Sequence, residues 1–268
     1  MSKGRHYERT KRKKRRFRRR IRRFFKILLV ISIIYVINFF SSARKEQKET
    51  EELLNTIEIN EIAEEEKQPQ KVQETEKMKK VKKLKEQYDD IVAWIEIEGT
   101  EINYPVMQGE DNDFYMSHNY KKEESKRGSI FLDKSYDWSI PSSNLLLYGH
   151  NNSKDGSIFA DLIKYKKFDF YKKHKTIKFT TPEEDAEYEI ISVFLSRVYY
   201  KNEENVFRYY YFINAENEEE YNEYVKNAKE ASLYNTGKTA KYGDQLLTLS
   251  TCEYSQEDGR LVVVARKK

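Results

Sequence analysis

Eight short β-rich runs follow one another from Ile91 onward, and they constrain the fold more than any other feature of the 268-residue chain. They are Ile91–Ile97, Ile102–Gln108, Gly128–Asp133, Leu145–Tyr148, Thr176–Thr180, Tyr188–Val198, Leu246–Thr251 and Leu261–Ala265, separated by Gly, Asn, Asp and Pro. Such a succession predicts a mainly β domain, an eight-stranded closed barrel with antiparallel or mixed strands. Two helices are expected to interrupt it. One starts at Asp155 or Ser157 and carries Ile158, Phe159, Leu162 and Ile163. The other, about Asn217–Ser232, is acidic at its start and sets Tyr221, Tyr224, Val225 and Ala228 at helical spacing, which suits both the helix dipole and a core face. No internal repeat or phosphate-binding glycine loop is evident.

Charge divides the chain before any fold does. Residues 1–23 hold 14 Lys or Arg against the single Glu8, whereas the other 245 residues hold 36 basic and 44 acidic groups, a net of −8. Directly after this arm comes the apolar run 24–40, whose 17 residues span about 25 Å as a helix, just short of a bilayer core. Lys26 near its start can snorkel to the interface. The basic flank predicts an N-terminus in the cytoplasm and the rest of the chain outside the cell membrane, as a single-pass protein. Nucleic-acid binding is the competing use of a basic arm, and the adjoining apolar span argues against it. A cleaved signal peptide is the other alternative, with Ser41 and Ala43 as small residues at a processing site; the run is long for that purpose, and an uncleaved anchor is the reading adopted.

Residues 41–86 are mostly Glu, Lys and Gln around a thin apolar stripe of Leu53, Leu54 and Ile57. They predict a helical or partly disordered stalk, interrupted near Pro69. From about Val81 a second helical piece, with Val81, Leu84 and Tyr88, is able to pack on the domain that follows. The expected organisation is therefore a basic arm at 1–23, an anchor at 24–40, a stalk at 41–86 and a folded domain at 87–268.

The chain has one cysteine, so it can form no internal disulfide, and a lone thiol invites a functional reading. The run Leu246-Leu247-Thr248-Leu249-Ser250-Thr251-Cys252 reads as a strand that ends on this thiol. A polar loop then leads to Arg260, which opens the next strand. Two neighbouring strands joined by a loop would bring Cys252 and Arg260 to one rim. A thiolate nucleophile needs positive charge nearby, and acyl transfer needs a donor for the developing oxyanion; arginine serves both. The third candidate is His150, in Leu145-Leu146-Leu147-Tyr148-Gly149-His150, again at a strand end, where an imidazole can exchange protons with a thiol and a leaving amine. Arg266 is a nearby competitor of Arg260 but lies in the terminal basic tail, His6 belongs to the basic arm, and His118 and His174, in polar surroundings, are expected to be solvated. No cluster has metal-ligand spacing, so no metal or other cofactor is expected.

Thr248-Leu249-Ser250-Thr251-Cys252 followed by Arg260 resembles the TLxTC…R signature of sortases, and Tyr148-Gly149-His150 is similar to that family's histidine strand. Trp94-Ile95, Tyr104-Pro105-Val106-Met107-Gln108, Asp111-Asn112, Gly128-Ser129-Ile130-Phe131-Leu132-Asp133 and Asp155-Gly156-Ser157-Ile158-Phe159 resemble the class B branch. The likeness covers roughly residues 88–268, in order. It implies an eight-stranded sortase barrel and a cysteine transpeptidase. Cys252 would attack after the Thr of an NPxT-like C-terminal sorting signal on a surface protein. A peptidoglycan amine, or its lipid-linked precursor, would then resolve the thioacyl enzyme. His150 would serve as general acid or base, and Arg260 would orient the substrate and stabilise the oxyanion. Positions matching class B substrate contacts are Asn112, Met116, Tyr148, Ser250 and Glu253, with Met116 where relatives often carry Leu. The stretch Tyr199–Phe212 falls where class B enzymes have a substrate-facing loop; an aromatic core under a helix is the equal alternative. A cysteine peptidase that releases its acyl group to water, or a non-catalytic peptide-binding adaptor, remains an alternative to the transpeptidase.

Overall fold

A computed structural model describes residues 74–140 and 142–268, together with Ile33, Ile37, Ser41 and Lys48, which are helical. Those four positions belong to a unit, 1–53, distinct from the body that contains the barrel. The expected basic arm and the rest of the expected anchor and early stalk lie outside the described residues. Among the described residues no helix is long and apolar enough to cross a membrane.

The described body opens with helix α1 (Glu76–Gln87), within the segment that the charge pattern assigns to the stalk. Thr75 caps it, its hydroxyl accepting from the Met78 amide at 3.2 Å, and Glu76 lies in the positive first turn. Met78, Val81 and Leu84 recur on one face and are buried against β1 (Ile91–Glu96) and β7 (Thr176–Thr180). The helix is therefore part of the folded body.

All eight predicted runs become barrel strands. After β1 come β2 (Asn103–Met107), β3 (Ile130–Leu132) and β4 (Asn144–Tyr148), then β7, β8 (Asp185–Arg197), β9 (Leu246–Cys252) and β10 (Gly259–Lys267). Around the closed barrel the order is β1-β2-β3-β4-β9-β10-β8-β7. The β2–β3 and β4–β9 pairs are parallel and the other six antiparallel. Closure leaves none of the eight barrel strands with an unpaired edge. Inward residues such as Ile95, Val106, Leu147, Leu249 and Val263 form the main core. The alternate residues of β9 and β10, including Leu246, Val262 and Val264, face a second layer formed by Tyr209, Phe212 and helix α3 (Glu218–Glu230). Asn217 caps α3 and three glutamates fill its first turn. Tyr221, Tyr224, Val225 and Ala228 are its buried face, as their spacing requires.

The helix expected from Asp155 or Ser157 is a correction. Residues Asn151–Asn152 (β5) and Ser157–Ile158 (β6) form a small hairpin instead. The Asp155 carboxylate accepts from the Ser157 amide at 2.9 Å and its hydroxyl at 2.6 Å, and Gly156 has φ +80°, so a turn outcompetes a helix there. Ile158 has φ +60°, which no right-handed helix accommodates. Helical structure begins at Ala160, as a 3-10 segment to Lys166, and continues in α2 (Phe168–Lys173). His118 and His174 are also not free in solvent. Each is half-buried, each ring nitrogen Nδ1 is 2.8 Å from a carbonyl (of Phe114 and Glu98), and each ring packs on a phenylalanine.

Candidate active site

Strand pairing brings the three expected catalytic residues to one rim. Cys252, the last residue of β9, lies directly opposite Arg260 near the start of β10. On the other side of β9 runs β4, in parallel, with Tyr148 opposite Ser250. The chain stays on β9 for one more residue: the Gly149 amide donates to the Ser250 carbonyl at 3.2 Å and the Thr251 hydroxyl to the Gly149 carbonyl at 2.8 Å. His150 follows immediately, its imidazole close enough to the Cys252 thiol for each group to perturb the other. A Cβ on Gly149 would come 2.7 Å from the Phe159 ring, so only glycine lets the histidine strand lie this close to the hairpin behind it.

The far nitrogen of His150, Nε2, is 2.8 Å from the Met116 carbonyl. A carbonyl only accepts, so Nε2 carries a proton and Nδ1 is left to exchange one with the thiol. The Met116 carbonyl is itself fixed by a 3-10 turn (Phe114–Met116) and by Gly128 at φ +61°, where a Cβ would lie 2.7 Å from the same oxygen.

Cys252 and His150 perturb each other. The side-chain interaction between them is the largest influence on both, lowering the thiol below its ordinary value and raising the imidazole above its own. Burial opposes both shifts; the Arg260 charge reinforces the first and the Met116 carbonyl the second. The two directions favour a thiolate beside an imidazolium. Arg260 Nη1 donates to the carbonyls of Asp258 (3.1 Å) and Gly259 (2.9 Å), and among the described residues it has no carboxylate ion pair. Its charge is thus not neutralised by a carboxylate partner. The competing Arg266 lies at the opposite end of β10, beside Glu189 and Asp244.

The five expected substrate-contact positions divide into three groups. Asn112 and Tyr148 meet at Asp133, whose Oδ2 accepts from Asn112 Nδ2 at 2.9 Å and from the Tyr148 hydroxyl at 3.0 Å. Met116 keeps a partly exposed side chain beside the imidazole its carbonyl holds. Ser250 and Glu253 are closed off. The Ser250 hydroxyl is buried against the Tyr209 hydroxyl at 2.7 Å, facing the outer layer. The Glu253 carboxylate is buried, paired with Lys166 at 2.8 Å, and accepts from the Ser255 amide and hydroxyl. Burial pushes Glu253 up, but Lys166 and Ser255 outweigh it and hold the carboxyl below its usual value.

Several residues of the site were not among the candidates named from the sequence. Asn151 Nδ2 donates to the Cys252 carbonyl at 3.0 Å and so fixes the backbone of the nucleophile. Asp133, Tyr209 and Lys166 act through the partners just named. Tyr254 projects 72% exposed from the Cys252–Arg260 loop, near enough for its phenol to feel both charges. Only the adjacency of Asn151 to His150 could have drawn attention to it. The stretch Tyr199–Phe212 supplies the expected aromatic core under a helix. Tyr209 and Phe212 are buried under α3, whereas Tyr200 and Tyr211 are exposed.

A closed mixed barrel with a thiol, an imidazole and a guanidinium at one rim is the arrangement of a cysteine acyltransferase. The Sortase domain model matches residues 95–268. Sortase B of Listeria monocytogenes serovar 1/2a is 37% identical over 178 residues, 65% of this chain and 68% of that protein. The Staphylococcus aureus sortase B–substrate complex is 29% identical with a TM-score of 0.69, over 84% of this chain and 97% of that one. A sortase B complexed with triglycine is also 29% identical with a TM-score of 0.69, over 84% and 98%. The chain belongs to the sortase family. Within it the relatives are sortases B, and the chain is a class B cysteine transpeptidase.

Proposed function

We propose that this enzyme cleaves an NPxT-like sorting signal at the C-terminus of surface proteins and transfers them to an amine of cell-wall peptidoglycan or its lipid-linked precursor. Cys252 is the nucleophile in this reading. Its thiolate adds to the carbonyl carbon of the signal's Thr, and Arg260 stabilises the oxyanion that forms. The C–N bond then breaks, the imidazolium of His150 gives its proton to the leaving amine, and a thioester remains. An incoming amine adds to the thioester, Nδ1 of His150 takes a proton from it, and collapse expels the thiolate. Asn112, Met116 and Tyr148 border the acyl side, with Asp133 orienting two of them. Ser250 and Glu253 support the rim from beneath.

The observation that carries this reading is the strand register that sets Cys252 opposite Arg260 and, through β4 running parallel beside β9, delivers His150 to the same rim. Two relatives described as complexes, one with substrate and one with triglycine, support a peptide and an amine as the substrates. The apolar run 24–40 behind a basic arm supports a single-pass anchor, with residues 1–23 in the cytoplasm and the catalytic domain, 87–268 preceded by α1, outside the cell. The test is a library of NPxT-like peptides incubated with and without oligoglycine and diamino-acid amines. The expected products are cleaved after Thr and joined to the amine; release to water at equal rates in both arms would instead make the protein a peptidase.

A further inference from the structure

The body after residue 23 is acidic, yet between residues 164 and 178 it holds seven lysines and one aspartate. The fold gathers this charge. Lys172, Lys173, Lys175, Lys178 and Lys268 line one cleft of about 570 Å³, against Glu98 and Glu187. Glu187 is already paired with Lys268 at 2.7 Å and Lys172 with Asp169 at 2.6 Å. Lys173, Lys175 and Lys178 have no carboxylate within ion-pair distance among the described residues. Phe168, which opens α2, is 44% exposed at the edge of this surface, with Lys172 Nζ 5.4 Å from its ring centre.

The cleft also lies where the chain enters the body. Glu96, Lys178 and Glu187 are in register across β1, β7 and β8 and so share a face. Lys77, in the first turn of α1, is ion-paired with Glu96, and Thr75 donates to Asp185 at 3.2 Å. The described body therefore begins, at Thr75, beside the basic face. Along β8 from Glu187 to Ser196, the residue opposite Arg260, the strand covers about 30 Å at ~3.3 Å per residue.

We propose that this basic face seats the catalytic body on the anionic phospholipid surface of the membrane, Phe168 entering the headgroup layer, and so holds the Cys252 rim at a fixed height above the bilayer. The inference rests on the reading of residues 24–40 as a membrane anchor. Juxtamembrane lysines are drawn to anionic headgroups within a Debye length, and tethering keeps the local lipid concentration high. An exposed aromatic side chain beside the lysines is suited to an interface and gains nothing from a soluble polyanion. Docking would set how far from the bilayer a membrane-held substrate must present its cleavage site.

The test uses the full chain in vesicles of phosphatidylcholine alone or mixed with phosphatidylglycerol. Amine acetylation is read by mass spectrometry at Lys172, Lys173 and Lys175, with Lys201 and Lys226 as distant controls. Phosphatidylglycerol should protect the first group on the order of tenfold. High salt should remove the protection, and so should K173E/K175E/K178E, read at Lys172. Cleavage of a soluble peptide should not change in that variant. Equal labelling in both vesicles overturns the proposal, as does equal protection by soluble polyphosphate added to phosphatidylcholine vesicles. A chain held only by vesicles containing phosphatidylglycerol removes the anchor reading while supporting the dock, and a chain held by neither overturns both.

Discussion

Gly149→Ala is the substitution through which the structure ties packing most directly to chemistry. A methyl at this position would lie 2.7 Å from Phe159 Cδ2, 3.0 Å from Ile158 Cγ2 and 3.1 Å from Phe159 Cγ. Reaching an ordinary contact of about 3.5 Å requires a shift of roughly 0.8 Å. Phe159 is fully buried and Ile158 nearly so, and Ile158 holds a left-handed backbone that cannot slide. Neither gives way without cost, and such overpacking costs about 1–3 kcal/mol. The Gly149 backbone resists as well, being bonded to β9 through both its amide and its carbonyl. The part of the shift it cannot resist displaces His150, and misplacing a catalytic group by about 1 Å costs on the order of a hundredfold in rate. The variant should therefore lose about 1–3 kcal/mol in urea unfolding, and kcat/KM on a sorting peptide should fall ten- to a hundredfold. Adding Phe159→Leu should restore much of the rate, because a smaller and more flexible side chain can clear the methyl. Unchanged stability and rate in G149A, or no rescue by the second change, would refute the argument.

Other consequences follow from the same contacts. Alkylation by iodoacetamide reports on Cys252 alone, since the chain has one cysteine; its rate should rise through a pH below the usual thiol range, and Arg260→Met should move that rise to higher pH by removing a lowering influence. Peptide turnover needing an imidazolium should fall on the alkaline side only above the ordinary imidazole value, because His150 is raised. Lys166→Met strands the buried Glu253 carboxylate; with Lys166 partly solvent-exposed the loss should be about 1–2 kcal/mol in chemical denaturation. The Glu253 carboxyl is depressed in the fold, so its contribution to stability is present above the unfolded carboxylate value and disappears as pH falls through the folded one. K166M should flatten that acid dependence. Tyr209→Phe leaves the buried Ser250 hydroxyl without its partner and should cost about 1–2 kcal/mol by thermal unfolding while activity changes little.

The strands were legible because β-rich runs between turn residues need no tertiary information. The same holds for α3, whose cap, acidic first turn and buried face are all local. The segment after His150 misled because Ile158, Phe159, Leu162 and Ile163 have helical spacing, while what decides the backbone is a carboxylate turn at Asp155 and a left-handed isoleucine. The motifs at Cys252, Arg260 and His150 each declare a strand end. That β4 runs parallel beside β9, and so carries His150 to the thiol, is a fact of topology that no local pattern contains. Ser250 and Glu253 illustrate the limit of resemblance: matching positions were legible, but their burial against Tyr209 and Lys166 was not. The lysine run 164–178 is plain in the sequence, and only the fold shows that it gathers around one cleft.

The most direct test of the account is rapid-quench intact-mass spectrometry of the enzyme mixed with a sorting peptide. The mass should rise by that of the acyl fragment, the adduct should map to Cys252, and adding an amine should discharge it into a joined product. Turnover without any adduct on that sulfur, or an adduct and product that persist in C252A, would contradict it.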